Sequence, residues 1–193
     1  MWSGPTAIPP IPAFARVDLN SIRIAEKCLE EGDREAMSAT LSNAYARFEE
    51  QQPVVATHVA HVLRQCSDEA ARGLGVYLAI SVWLSFLQQM EDSIQQVSEI
   101  DFENAALFLS VDADVRRRSP NSGMDTDDVV AMHQPALAGF IRERLDETLR
   151  NYEKAIDIDE VDKVYQLVLL EILALSYAVK SPINPTQNLQ DLS

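Results

Sequence analysis

Gly73–Met90, GLGVYLAISVWLSFLQQM, and Val164–Val179, VYQLVLLEILALSYAV, decide how this chain folds. The first runs without a charge from end to end, and its length meets the minimum for a membrane span. Gln88 and Gln89 shorten its strongly apolar part, however, and the second stretch carries Glu171 in its middle, where hydrocarbon would penalise a carboxylate heavily. Helices that are apolar on every face also occur at the centre of helical bundles. Leu74–Met90 and Val164–Val179 are therefore expected as buried central helices, and no membrane is expected as a partner.

The surrounding chain has the composition of a globular helical protein. It is 47% hydrophobic and 24% charged, with only six glycines, and its apolar residues are mainly Ala and Leu set among Glu, Gln and Arg. Sixteen Lys and Arg against thirty Asp and Glu give a formal charge of −14. That field offers nucleic acid no counterion release and anionic headgroups no attraction, so neither is an expected partner, whereas a basic protein surface is compatible with it. Cys28 and Cys66 cannot frame a disulfide scaffold in 193 residues. Both lie among apolar neighbours in helical patterns, where a thiol acts as a small hydrophobe, and a reducing, cytoplasmic setting is expected. The opening MWSGPTAIPPIPAFAR has no basic n-region and is broken by four prolines, unlike a secretory signal.

The expected organisation is a Pro-rich arm over 1–16, a single all-α domain over 17–181 and a polar tail over 182–193. Pro9-Pro10-Ile11-Pro12 contains a PxxP pattern, but the plainer expectation is an arm that packs Trp2, Ile8 or Phe14 on the body. Within the domain the spacing predicts a bundle of six to eight helices. Asp18 or Asn20 caps a helix reaching about Glu31, with Ile22, Ala25 and Leu29 on one face and Gly32 just past its end. Asp33 caps the next, striped by Met37, Leu41, Ala44 and Phe48. Pro53 opens a helix carrying Val55, Val59, Val62 and Leu63. Ser67 or Asp68 caps the long apolar helix, expected to reach about Val97, and a short helix follows over about Asp101–Ser110. Residues 111–125, rich in Asp, Arg, Pro and Gly, read as the main internal loop. Thr126 starts another helix that Pro135 interrupts, and the last begins near Asp157 or Asp159.

A faint repetition runs through this order. Gln52-Pro53 leads a striped helix that is followed by Val76-Tyr77 at an apolar one; Gln134-Pro135 leads another that is followed by Val164-Tyr165. Matching the prolines aligns Val55, Val59 and Leu63 with Leu137, Ile141 and Leu145. The pattern suggests two related helical hairpins, over 33–97 and 126–180, arranged about the two central apolar helices.

Candidate chemistry is sparse. Glu171 falls on the helical face of Val164, Val168, Leu175 and Ala178. Buried without a cation its carboxyl pKa would rise, as in a general acid or a proton-linked ligand site; the plainer expectation is a pair with Arg64, Arg142 or Arg144. His58 and His61 share a helical face, with Cys66 beyond them, and imidazoles at that spacing can bind zinc. No second Cys/His cluster completes a four-ligand site, and the Glu-x-x-His pairs of di-iron bundles are absent. Asp112, Asp114, Asp125, Asp127 and Asp128 do not follow the Ca²⁺-loop spacing, and Asp157, Asp159, Glu160 and Asp162 fit the start of a helix better. Arg116, Arg117 and Arg118 form the one basic cluster, suited to a phosphate or a partner's acidic patch, or to neutralising Asp112 and Asp114.

No G-x-S-x-G elbow, P-loop or dinucleotide fingerprint is present, and no cofactor or catalytic residue is assigned. The leading expectation is a non-catalytic helical protein-interaction or regulatory module that binds a protein partner or itself. One alternative is a small-molecule- or metal-binding helical protein, an enzyme among them, using Glu171 and His58/His61. Another is an acidic inhibitor or mimic directed at a basic surface.

Overall fold

The computed structural model describes residues 8–118, 126–152 and 156–182, with the side chains of 115–118 and 126–128 outside the description. Trp2, Asp125 and the tail beyond residue 182 fall outside it as well. Among the described residues the chain is all α-helical: α1 Leu19–Glu30, α2 Arg34–Gln51, α3 Pro53–Gln65, α4 Glu69–Met90, α5 Glu99–Arg118, α6 Thr126–His133, α7 Pro135–Asn151 and α8 Ile158–Tyr177. A single antiparallel bridge, Ile94 to Val179, is the one piece of β pairing among them.

Carboxylates start four of these helices, because the first N–H groups of a helix lack intrahelical acceptors. Asp18 accepts from Ser21 N–H at 2.7 Å, Asp33 from Glu35 and Ala36, Asp68 from Ala70 and Ala71, and Asp157 from Asp159 and Glu160. Gly32, with φ at +102°, takes the left-handed turn between α1 and α2 that L side chains avoid.

The centre is α4 packed along α8. Leu78, Ile80, Val82, Trp83 and Phe86 of α4, and Leu169, Ile172, Leu173 and Leu175 of α8, are fully buried. Although α4 is long and apolar enough to cross a membrane, 61% of its most apolar window is covered within the bundle. Gly75 leaves room for side chains of α3 and α8: a Cβ there would collide with the end of the Leu63 side chain and stand 3.2 Å from that of Val164. Phe48 of α2 closes over Trp83, ring centroids 5.4 Å apart. On the opposite flank Arg144 of α7 is paired with Glu26 and Glu147, and Tyr77 of α4 donates to Glu30 of α1 at 2.7 Å.

Two buried glutamines set the joints between elements. Gln52 and Gln134 each precede a proline, and each has left the helical region (φ −134°, ψ 58° and φ −126°, ψ 58°), as a residue before proline tends to do. The Gln52 Oε1 accepts from Val97 N–H and its Nε2 donates to the Gln95 carbonyl, both at 2.9 Å. The Gln134 Oε1 accepts from Val17 N–H at 2.8 Å, while its Nε2 donates to the Ala15 carbonyl at 2.7 Å and to Ser176 Oγ at 3.0 Å. Each amide thus reads one edge of an extended segment just as a strand would, and each of those segments leads directly into a helix, α1 or α5. The other edges are held too. Gln89 bonds the Arg16 carbonyl and Asp18 N–H, and residues 178–180 pair with 93–95.

Several boundaries differ from expectation. The long helix ends at Met90 rather than near Val97, because 93–97 is drawn into the extended form held by Gln52 and by 178–180. The expected loop over 111–125 is corrected as well. α5 continues to Arg118, and Asp112, 2% exposed, lies on its inner face. In the N-terminal arm Ile8 and Ile11 are buried and Tyr177 donates to the Pro9 carbonyl at 2.7 Å, while Phe14 stays exposed. Cys66 is buried, but Cys28 is exposed on α1.

Replacing Gln134 by Leu would leave the Val17 N–H and the Ala15 carbonyl buried without partners, at about 1–3 kcal/mol each. Chemical denaturation of Gln134→Leu should therefore show a loss of about 2–4 kcal/mol with an unchanged helical spectrum below the transition.

Candidate functional site

Glu171 lies midway along α8, where the apolar periodicity that buries the helix carries the carboxyl inward with it. It is 1% exposed, and neither oxygen has a hydrogen-bond partner. The expected arginine pair is absent. Arg144 is engaged by Glu26, Glu30 and Glu147, and Arg64 and Arg142 stand exposed at the surface. Burial alone pushes the Glu171 carboxyl well above the usual carboxylate range. Ser81 Oγ on α4 is likewise buried without a partner.

The histidines are placed elsewhere. His58 of α3 is half-buried, its ring 4.9 Å from that of Phe102, and burial followed by the charge of His61 holds its pKa down. His61 is exposed and contacts the Gln65 amide at 3.0 Å. The His133 Nδ1 lies 2.9 Å from the Val129 carbonyl of its own helix. The Cys66 thiol faces the Val62 carbonyl, and burial raises its pKa. Among the described residues no group of three His, Cys, Asp or Glu side chains is arranged around a common point for a metal ion.

The acidic run before α8 forms a joint between two helix starts. Glu160 accepts from Ser67 N–H, Ser67 O–H and Asp68 N–H at 2.7–3.1 Å, and the second oxygen of Asp68 accepts from Asp157 N–H at 2.7 Å. The Asp68 N–H and the Ser67 bonds hold the Glu160 carboxyl below its ordinary range, and the Asp157 N–H does the same for Asp68. These carboxylates stitch the start of α4 to the start of α8, and Glu160 itself is buried. Sequence order alone gave no sign that residues so far apart cap one another.

Beside this joint lies an open hollow of about 1170 Å³, bordered by Asp68, Arg72, Gly73, Val76, Tyr152 and Asp157. A smaller one of about 420 Å³ lies between Leu41, Tyr45, Leu63, Arg64, Arg72 and Val76. Neither is bordered by Glu171, His58 or His61. Neither of these two hollows, lined by described residues, brings Glu171 together with His58 or His61.

The residues missed in the sequence are on α5. Phe102, Ala105 and Asp112 face inward, yet Ile100 is 70% exposed, Leu107 56% and Val111 40%. These three recur at seven and four residues and so lie along one outer face of the helix. Arg116, Arg117 and Arg118 form its last turn; their side chains are outside the description. A helix apolar on both faces has weak amphipathic periodicity, which is why the outer stripe did not stand out. No family model, curated protein or solved structure matches the chain.

The sign of the Glu171 effect is definite. The folded state keeps this proton above the ordinary value of 4.5, so stability declines as pH rises from about 4.5 toward the raised folded value. Glu160 and Asp68, with lowered values, act in the opposite sense and only at more acid pH. Glu171→Met should raise the urea midpoint at neutral pH and flatten the decline above about pH 5. An unchanged slope would show that Glu171 does not govern it.

Proposed function

We propose that this chain is a non-catalytic helical interaction module that works through contacts made by the outer face of α5. The observation that supports the reading is the exposure of Ile100, Leu107 and Val111 on a helix whose inner face already supplies the core. Scattered apolar residues on a surface need no explanation, but three at helical spacing on one face form a stripe of the kind that seats a partner helix. The carboxylates at the α4–α8 joint are engaged in capping, and this favours an apolar contact over an acidic mimic. Two unpaired thiols suit a cytoplasmic setting.

The same reading takes the chain as two copies of one unit. Val17 and Val97 are held alike by Gln134 and Gln52, Asp18 and Ser98 cap the helices that follow, and Ile22, Ala25 and Leu29 match Phe102, Ala105 and Leu109 on the inner faces. Each unit's glutamine grips the other unit's extended segment. Under that pairing Asn20 and Lys27 of α1 occupy the positions of Ile100 and Leu107, while Val111 falls beyond the length of α1. The scaffold accepts polar residues at those positions, so the apolar ones on α5 answer to something other than folding.

The test is affinity capture from extract of the source organism, with the full chain and its Leu107→Glu and Ile100→Glu variants as baits and mass spectrometry as readout. A protein held in near-stoichiometric amount by the parent chain and reduced about tenfold or more on both variants is the expected result. Identical captures on all three baits would refute the reading.

A further inference from the structure

We infer that the seat of Ile8–Pro12 is a recognition groove for a partner protein's proline-rich segment, of the pattern apolar-Pro-Pro-apolar-Pro. The chain's own arm occupies this groove in cis and competes with that segment. The inference does not rest on the outer face of α5.

The arm is built as a polyproline ligand. Proline fixes φ at positions 9, 10 and 12, and Ile8, Pro9 and Ile11 each precede a proline, which keeps them extended. Pro12 itself stands at φ −58°, ψ 136°, within the polyproline II range. That helix has three residues per turn, so Ile8 and Ile11 project from one side of it. Burial follows the same period: Ile8 is 1% exposed and Ile11 4%, while Pro10 between them faces water.

The body supplies what such a ligand requires. Polyproline segments dock in aromatic-lined grooves, and their backbone carbonyls are left free to accept from a side-chain donor. Here Tyr177, the last residue of α8, donates its hydroxyl to the Pro9 carbonyl at 2.7 Å. Phe108 of α5 stands edge-on to the Tyr177 ring, centroids 6.4 Å apart. Both rings pack against the core that Ile8 and Ile11 enter.

The proline segment can leave without taking α1 with it. Ala15, Arg16, Val17 and Asp18 are gripped through separate bonds by Gln134 and Gln89. Pro9, Pro10 and Pro12 bring no N–H, so this stretch cannot be zipped to the body as a strand is. Its two apolar side chains and the Pro9 carbonyl are features that the same pattern in another protein reproduces. A tethered arm competes at an effective concentration that is roughly millimolar. It therefore sets a threshold, because a partner's apparent affinity is reduced by the fraction of time that the groove stands free.

The probe for the test is a fluorescent peptide of residues 4–15, GPTAIPPIPAFA. In the full chain, Ile8→Asp with Ile11→Asp expels the arm and leaves the groove vacant. That variant should bind the probe saturably, with a dissociation constant on the order of 100 µM or tighter and about tenfold or more below that of the parent chain. Adding Tyr177→Phe should weaken binding about three- to tenfold, through loss of the bond to the Pro9 carbonyl. A probe with both isoleucines replaced by serine should not bind. An arm variant of native circular dichroism that ignores the probe, or takes both probes alike, would overturn the inference. Should the double substitution disturb the fold, the parent chain gives the answer by NMR. Its Ile8 and Ile11 methyl signals should move toward those of a free arm as unlabelled peptide rises to several millimolar. Signals that stay in place throughout would overturn the inference equally.

Discussion

Everything in this bundle answers to one constraint: α4 and α8 are apolar on nearly every face, so packing them against each other covers only part of what must leave water. The remaining faces demand further cover, and the other helices supply it. α1 and α2 lie on α4, α3 reaches both central helices, and α5 and α6 lie on α8. Gly75 shows how closely the elements approach, because a Cβ at that position would require the Leu63 side chain of α3 to shift. The burial that makes the arrangement stable also removes Glu171 from water, and no neighbour offers it a compensating charge or donor. Its carboxyl is neutral over a wider pH range for that reason.

Packing alone would not fix where the chain enters and leaves each helix. That is done by polar groups of small number and full satisfaction. Gln52 and Gln134 hold the extended leads into α5 and α1, and Asp68 with Glu160 holds the starts of α4 and α8 side by side. A primary amide suits the first task because it presents one acceptor and a donor at the spacing of a peptide edge. A carboxylate has no donor, and an alcohol carries its donor and its acceptors on one oxygen. Proline at the following position removes an N–H that a helix start cannot use, and it keeps the glutamine out of helical geometry so that its side chain can turn toward the neighbouring segment.

The physical origin of each signal decides how far it could be read in advance. Caps and breaks are local, and Asp18, Asp33, Asp68, Asp157, Gly32, Pro53 and Pro135 all act where their neighbours in the chain imply. The long apolar runs of α4 and α8 are legible for the same reason, since burial on all faces needs no phase. Ile94 and Val97 continue a helical spacing after Met90, but their backbone is claimed by Gln52 and by residues 178–180, partners remote in the chain. Residues 111–118 lack inward apolar periodicity because the inner position at 112 is an aspartate and an apolar residue, Val111, faces outward. Glu171 was visible as a carboxylate on an apolar face; that it has no partner is a property of the assembled neighbours.

The comparison between α1 and α5 separates what folding requires from what it merely permits. Both helices follow a valine gripped by a glutamine, both place alanine at the closest inward point, and both cover a central helix. Their inner faces agree in character, as cover for the same kind of surface must. Their outer faces differ in detail: Asn20 and Lys27 on α1 stand where Ile100 and Leu107 stand on α5, while α1 exposes Leu19 and Ile24 instead. Water meets both outer faces, so the hydrophobic effect gives α5 no folding advantage for its choice and adds a risk of unwanted association.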